Sequence, residues 1–235
     1  MSDFLERTEL LIGKNALDYL ATKCVAVFGL GGVGSFALEA LARCGVEKAV
    51  IVDNDVINLS NVNRQLYALH SNVGKLKVDV ACERLKDVNP RMSVKKYPVF
   101  FSRETVDGID LGEVDYFVDC IDSVASKVLL VKTAKSLNKP IISCLGTGNK
   151  LDNTAFKVCD IYRTKICPLA RVLRSKLKKE GVENLKVVYS EETPIAPAVN
   201  KVIPSISFVP PVAGMIIAGE VIKDMIGEIN EKTRI

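Results

Sequence analysis

Histidine is almost missing from this chain: one residue, His70, stands among 235. A His-rich metal site is thereby excluded, and a His-dependent hydrolytic triad would have to be built on that single imidazole. Long apolar runs are missing too. No stretch reaches the roughly eighteen consecutive apolar residues that a membrane helix requires, so no membrane association is expected. The first twenty residues hold four acids and no continuous apolar core, which matches neither a signal peptide nor a transit peptide. The paired CxxC motifs that hold structural zinc are absent, and Cys159 and Cys167 do not have zinc-knuckle spacing. No zinc is expected. Charge excess is small: 32 basic against 28 acidic residues, a net +4, allow a polyanionic partner without demanding one.

What remains is a chain rich in core-forming material. With 48% hydrophobic and 26% charged residues it can bury a substantial core, and residues 1–235 read as a single domain. Seven cysteines form an odd set, several of them inside apolar runs such as CVAVFGL and IISCLG. That is the usage of a reducing compartment, so a soluble cytoplasmic protein is expected.

Strand-like runs at 23–28, 48–52, 93–97, 115–119 and 140–144 alternate with helix-like segments at 33–44, 75–87 and 124–137. This alternation predicts an α/β fold: a Rossmann-like, mostly parallel sheet with helices on both faces. Residues 1–20 lie ahead of it, with 3–20 read as one amphipathic helix, and 150–235 form a C-terminal elaboration. Within that elaboration a strand, a helix and a strand are expected over 156–190, then a three-proline loop at 193–205 that reads as mobile. A helix opened by proline is expected over 210–226, returning to the sheet.

The first strand runs into Gly29, Leu30, Gly31, Gly32, Val33 and Gly34, a G-x-G-x-x-G turn that opens a helix. Glycines let the backbone approach a phosphate, and the helix N-terminus supplies amide donors and a favourable dipole. Asp53 follows 19 residues after Gly34, at the end of the second strand, where an acid can accept hydrogen bonds from ribose hydroxyls. To this point NAD and ATP are equally compatible. The next segment separates them: Asp55, Asn61, Asn63, Arg64 and Gln65 crowd one polar stretch, and Lys77 follows. Cations near a triphosphate neutralise the charge that develops on a leaving pyrophosphate, the main demand of nucleotidyl transfer. The fourth strand ends in Asp119-Cys120-Ile121-Asp122, which puts Asp122 at the carboxyl edge of the sheet as candidate magnesium ligand.

In this order and spacing, GxGGVGS, DxDxVxxSNxNRQ, GKxK and DCID resemble the E1-like superfamily of ThiF and MoeB adenylyltransferases. The resemblance implies an ATP site lined by Gly31, Asp53, Asp55, Asn63, Arg64, Gln65, Lys77 and Asp122. It also implies a homodimer in which Arg7, from ERTELLIG, reaches the partner subunit's site. Over nearly the whole chain, segments such as EALARCGVEKAVIVDNDVINLSNVNRQ and ISCLGTGNKLDNTAFKVCDIYRTKICPLARVLRSKLKKEG are similar to the tRNA threonylcarbamoyladenosine dehydratase family, TcdA or CsdL. That likeness implies ATP-dependent activation of the threonylcarbamoyl carboxylate on tRNA, then cyclisation with loss of water. It also implies a monovalent cation near the strand-end carbonyls.

Competing readings accompany these residues. The glycine loop and Asp53 also suit another dinucleotide. Asp122 also suits a helix N-cap. Cys167, ahead of PLARVLR, suits either a tolerated small residue or a thiol acidified by the helix behind it. Cys120 and Cys144 read as buried, and His70 as a surface turn. Arg171, Arg174, Lys176, Lys178 and Lys179 make either a solvated helix face or a phosphate-contacting one. At the level of function, one alternative is an adenylyltransferase for a ubiquitin-like sulfur carrier. Another is a non-catalytic adaptor beside a sulfur-transfer protein.

Overall fold

The computed structural model describes residues 3–195 and 203–232. Two short helices, α1 (Glu6–Ile12) and α2 (Lys14–Thr22), lead into β1 (Cys24–Phe28), α3 (Gly34–Arg43) and β2 (Lys48–Val52). Then come α4 (Lys77–Val88), β3 (Ser93–Tyr97), β4 (Tyr116–Asp119), α5 (Val124–Ser136) and β5 (Ile141–Cys144). The chain continues as β6 (Phe156–Asp160), α6 (Pro168–Lys179), β7 (Lys186–Ser190) and α7 (Pro210–Lys232). The expected single helix over 3–20 is two. Gly13 interrupts it at φ 84° and ψ 155°, a conformation a helix cannot continue through.

The seven strands form one sheet in the order β3-β2-β1-β4-β5-β7-β6. All neighbours run parallel except β6, which pairs antiparallel with β7. The continuous apolar runs of the inner strands have a direct cause: both faces are covered. In β1, Val25 and Val27 enter the layer beneath α3, α4 and α7 with Leu38, Leu41, Val78, Leu85, Ile217 and Val221. Ala26 and Phe28 alternate into the opposite layer, with Leu130 and Val131 of α5 and Leu173 and Leu177 of α6. All five β1 residues are buried.

Strand order reverses between β1 and β4, so the chain leaves these two strands toward opposite faces. A crevice opens there at the carboxyl ends, the usual ligand position in such sheets. The three-proline segment lies largely outside the described residues, whereas α7 starts at Pro210 as expected and buries Ala213, Ile217, Ala218, Val221 and Met225.

Candidate nucleotide site

The ends of β1 to β5 build the crevice. After β1 the chain turns at Gly29, whose φ of 87° and whose 2.7 Å gap between a built-on methyl and the Cys120 carbonyl oxygen leave no room for a side chain. Gly34 is tighter: a methyl there would stand 1.8 Å from the Gly29 carbonyl oxygen. Gly34 therefore shapes the loop from behind, and the cleft is lined by Gly29, Gly31, Gly32 and Val33. The Ser35 hydroxyl donates to the Gly31 carbonyl at 2.6 Å and accepts from the Leu66 amide at 3.2 Å, which ties the glycine loop to the 61–66 segment.

After β2, Asp53 accepts the Leu30 amide at 2.6 Å and the Asp55 amide at 2.8 Å. Its carboxylate lies 3.8 Å from Lys77 Nζ, which itself bonds Asp55 at 2.6 Å. Lys77 is 5% exposed, so this ammonium is held in place by two carboxylates rather than by solvent. Burial pushes the Asp53 carboxyl above the usual carboxylate range, while Lys77 and the two amides pull it back. The loop from 54 to 76 is pinned at its base: Lys77 donates its amide to the Asp55 carbonyl at 3.0 Å, and Ile57 donates to Lys75 at 2.8 Å. Asn61 accepts the Asn58 amide at 3.0 Å. Arg64 extends its guanidinium between the Ser60 carbonyl (2.8 Å) and Asn63 Oδ1 (2.9 Å).

The cleft so formed has a volume of about 590 Å³. Of the sequence-expected residues, Gly29, Gly31, Gly32, Asp53, Asp55, Asn61, Arg64, Gln65, Lys77 and Asp122 line it. Three do not. Gly34 stands behind the loop, exposed Asn63 donates instead to the Ser205 carbonyl at 3.1 Å, and Arg7 sits exposed on α1. The helix-cap reading of Asp122 also shifts by one residue, since Ser123 is the N-cap of α5 and accepts from Ser126. Asp122 itself stays exposed at the cleft edge.

Sequence reasoning missed several lining residues: Asn54, Asn58, Phe100, Phe101 and Thr147. Their only signal is position, directly after the second, third and fifth strands. It also missed what holds the floor rigid. Lys127 of α5 and Asp119 of β4 are wholly buried and paired at 3.0 Å. Lys127 also donates to the Cys144 carbonyl at 2.7 Å, and Asp119 accepts the Ile121 amide at 3.1 Å.

Cys144 is buried as expected, whereas Cys120 is half-buried because it lines the cleft; desolvation raises both thiols, that of Cys144 to about 12. Both stay neutral at ordinary pH. Cys167 is buried at the N-cap of α6, and His70 is exposed in a single turn. Among the described residues, no three His, Cys, Asp or Glu gather as a metal site, and no helix is long and apolar enough to cross a membrane.

A second cavity of about 930 Å³ adjoins the first and shares Phe100 and Ser126 with it. Among the described residues the glycine loop, Asp53, Arg64 and Lys77 converge in the smaller one, which makes it the candidate nucleotide site.

That convergence on a doubly wound sheet is matched along the chain: the ThiF family model covers residues 5–234. The chain belongs to the ThiF family. Within the ThiF family it is 41% identical to the tRNA threonylcarbamoyladenosine dehydratase of Bacillus subtilis (strain 168), over 96% of each chain. It superposes with a TM-score of 0.90 on the crystal structure of E. coli TcdA in complex with AMP, at 30% identity over 96% of this chain and 94% of that one. With the ATP complex of the same E. coli enzyme the TM-score is 0.89 at 31% identity, over the same shares.

Proposed function

We propose that this chain is an ATP-dependent enzyme that dehydrates N6-threonylcarbamoyladenosine in tRNA by adenylating its free carboxylate. The observation that carries the reading is the full-length match to dehydratases combined with a cleft that holds a phosphate-suited loop, Asp53, Arg64, Lys77 and Asp122 together. A free carboxylate is a poor electrophile, and transfer of an adenylyl group from ATP gives it a leaving group. The neighbouring nitrogen then closes the ring with loss of AMP, so the carboxylate oxygen departs as water's equivalent. Because the attacking nitrogen belongs to the same molecule, orientation supplies much of the second step, with effective molarities reaching about 10⁵–10⁸ M for well-placed groups.

The chain's own residues have binding and charge-stabilising roles. Amides of the glycine loop and the start of α3 hold phosphate oxygens. Asp53 accepts ribose hydroxyls. Lys77, oriented by Asp55, and Arg64, oriented by Asn63, neutralise the leaving pyrophosphate. Asp122 is a lone carboxylate at the cleft edge, which fits magnesium, an ion commonly held by one or two carboxylates plus substrate phosphates. When bound, that ion supplies charge compensation to the phosphates.

The reading includes a homodimer to which Arg7 contributes across the interface. An α1 that buries none of its own residues, and whose Leu10 and Leu11 are 83% and 84% exposed, supports it. A cytoplasmic location, a monovalent cation at the strand-end carbonyls and a neighbouring sulfur-transfer protein complete the reading. No structural observation favours the sulfur-carrier adenylyltransferase.

Nucleoside mass spectrometry of threonylcarbamoyladenosine-containing tRNA, incubated with the protein, ATP and magnesium at mild pH, tests the proposal. The expected result is loss of one water with release of AMP. An unchanged nucleoside, with pyrophosphate exchange into ATP only on adding a Gly-Gly carrier protein, would refute it.

A further inference from the structure

A charged surface on an otherwise nearly neutral chain lies next to the nucleotide cleft. Helix α6 carries five cations and no acid, more than the whole chain's net charge of +4. Elsewhere many cations are matched: Lys95 and Lys96 pair with Asp110 and Asp79, Arg43 and Arg84 with Glu39, and Arg91 with Asp3 and Glu47. One of the five is structural, because Arg174 turns inward and donates to the Thr164 carbonyl at 2.9 Å. Lys176 and Lys179, three residues apart and hence on one side of the helix, do not pair among the described residues and line the 930 Å³ cavity.

The opposite wall of that cavity comes from a distant part of the sequence and sets Arg103 beside Glu104, while Lys132 and Glu180 of the same lining pair with each other, so the cations outnumber the acids by two. Arg103, exposed in the turn after β3, lines it without an ion pair among the described residues. At the junction with the nucleotide cleft stands Phe100, a large apolar ring left 50% exposed. A solvated helix face accounts for cations on one helix; it does not account for an arginine facing them across a groove that runs into the nucleotide site. Basic walls with an exposed aromatic at one end are how proteins hold single-stranded nucleic acid: charge follows the phosphates and a ring stacks on a base.

We infer that this cleft, walled by Arg103 on one side and Lys176 and Lys179 on the other, seats the tRNA strand flanking the modified adenosine. The inference rests on the proposed reaction for the identity of the RNA, and it adds the surface that receives it.

The test is filter binding of threonylcarbamoyladenosine-containing tRNA to the full chain across a salt series, with ATP binding measured alongside. Three chains are compared with the wild type: K176E/K179E, R103E, and the control K48E/K86E, which reverses two exposed lysines on β2 and α4. The first two should weaken tRNA binding roughly tenfold or more. They should also flatten the salt dependence by about one unit of slope for each phosphate that is no longer neutralised. ATP binding and turnover at saturating tRNA should be unchanged, so that KM for tRNA rises while kcat holds. The control should bind as the wild type does.

Wild-type binding in either K176E/K179E or R103E would overturn the assignment, as would a wild-type chain that binds no tRNA. Should the variants lose tRNA while the wild type binds it but removes no water, the surface stands and the proposed reaction falls. Should all chains dehydrate tRNA with one KM, the reaction stands and the surface falls.

Discussion

Replacing Lys127 with Met should destabilise the protein more than any surface change, and the size of the loss follows from its surroundings. Both Lys127 and Asp119 are wholly buried; the ammonium lies 3.0 Å from the carboxylate and 2.7 Å from the Cys144 carbonyl. Methionine keeps the length of the side chain and removes the charge. It leaves Asp119 as an unmatched buried anion and the Cys144 carbonyl without that donor. Breaking a buried pair from one side costs about 3–5 kcal/mol. In a chain of this size each kcal/mol lowers Tm by about 2–4 °C, so a drop of about 6–20 °C is expected in a thermal melt. Adding Asp119→Asn removes the stranded charge and should recover part of the loss. Because Asp119 also holds the Ile121 amide beside Asp122, K127M should weaken ATP binding as well. A K127M melt within about 2 °C of wild type, or a double variant no more stable than K127M, would refute the reasoning.

Arg64→Ala and Asp122→Ala should each lower AMP release by about 10²–10³-fold, the range seen when one transition-state stabilising group is removed. Circular dichroism should show the fold intact, since neither side chain is buried. Gly34→Ala should abolish ATP binding by isothermal titration and lower Tm, because its methyl would need to stand where the Gly29 carbonyl already is. Glu39 supplies a pH dependence. Burial raises its carboxyl, but hydrogen bonds from Arg84 and Arg43 outweigh that and hold it below the ordinary value of 4.5. A depressed carboxylate contributes stability above about pH 4.5 that is lost as pH falls through its folded-state value. The Tm gap between wild type and E39Q should therefore be full at pH 7 and shrink below pH 4.5; a gap constant across that range would contradict the assignment.

Much of the fold and of the nucleotide cleft is legible in the chain itself. CVAVF and KAVIV read as strands because burial on both faces demands continuous apolar residues, and five expected strands appear within a residue of their places. The glycine loop, Asp53 and Lys77 are legible because phosphate approach and charge matching restrict residue type at fixed offsets from a strand end. The break at Gly13 is not, since amphipathic spacing runs through it unchanged. Asn63 resembles its neighbours in a polar run, and only the fold shows it turned toward Ser205. Partnerships across sequence distance leave no local trace: Lys127 with Asp119, and Arg103 across a groove from Lys176. Arg174 looks like its basic neighbours until the structure turns it toward a carbonyl.

The sheet ends in β3 on one side and β6 on the other, and exposed strand edges are templates for strands of other molecules. Most of β3 is solvent-exposed, and its sequence SVKKY sets two adjacent lysines on that rim, each fixed by a carboxylate at 2.8 and 2.6 Å. A neighbour approaching to extend the sheet would have to displace those ion pairs and bury their charge. The same two lysines that add little to folding thus oppose edge-to-edge association, a property of the crowd rather than of the single molecule.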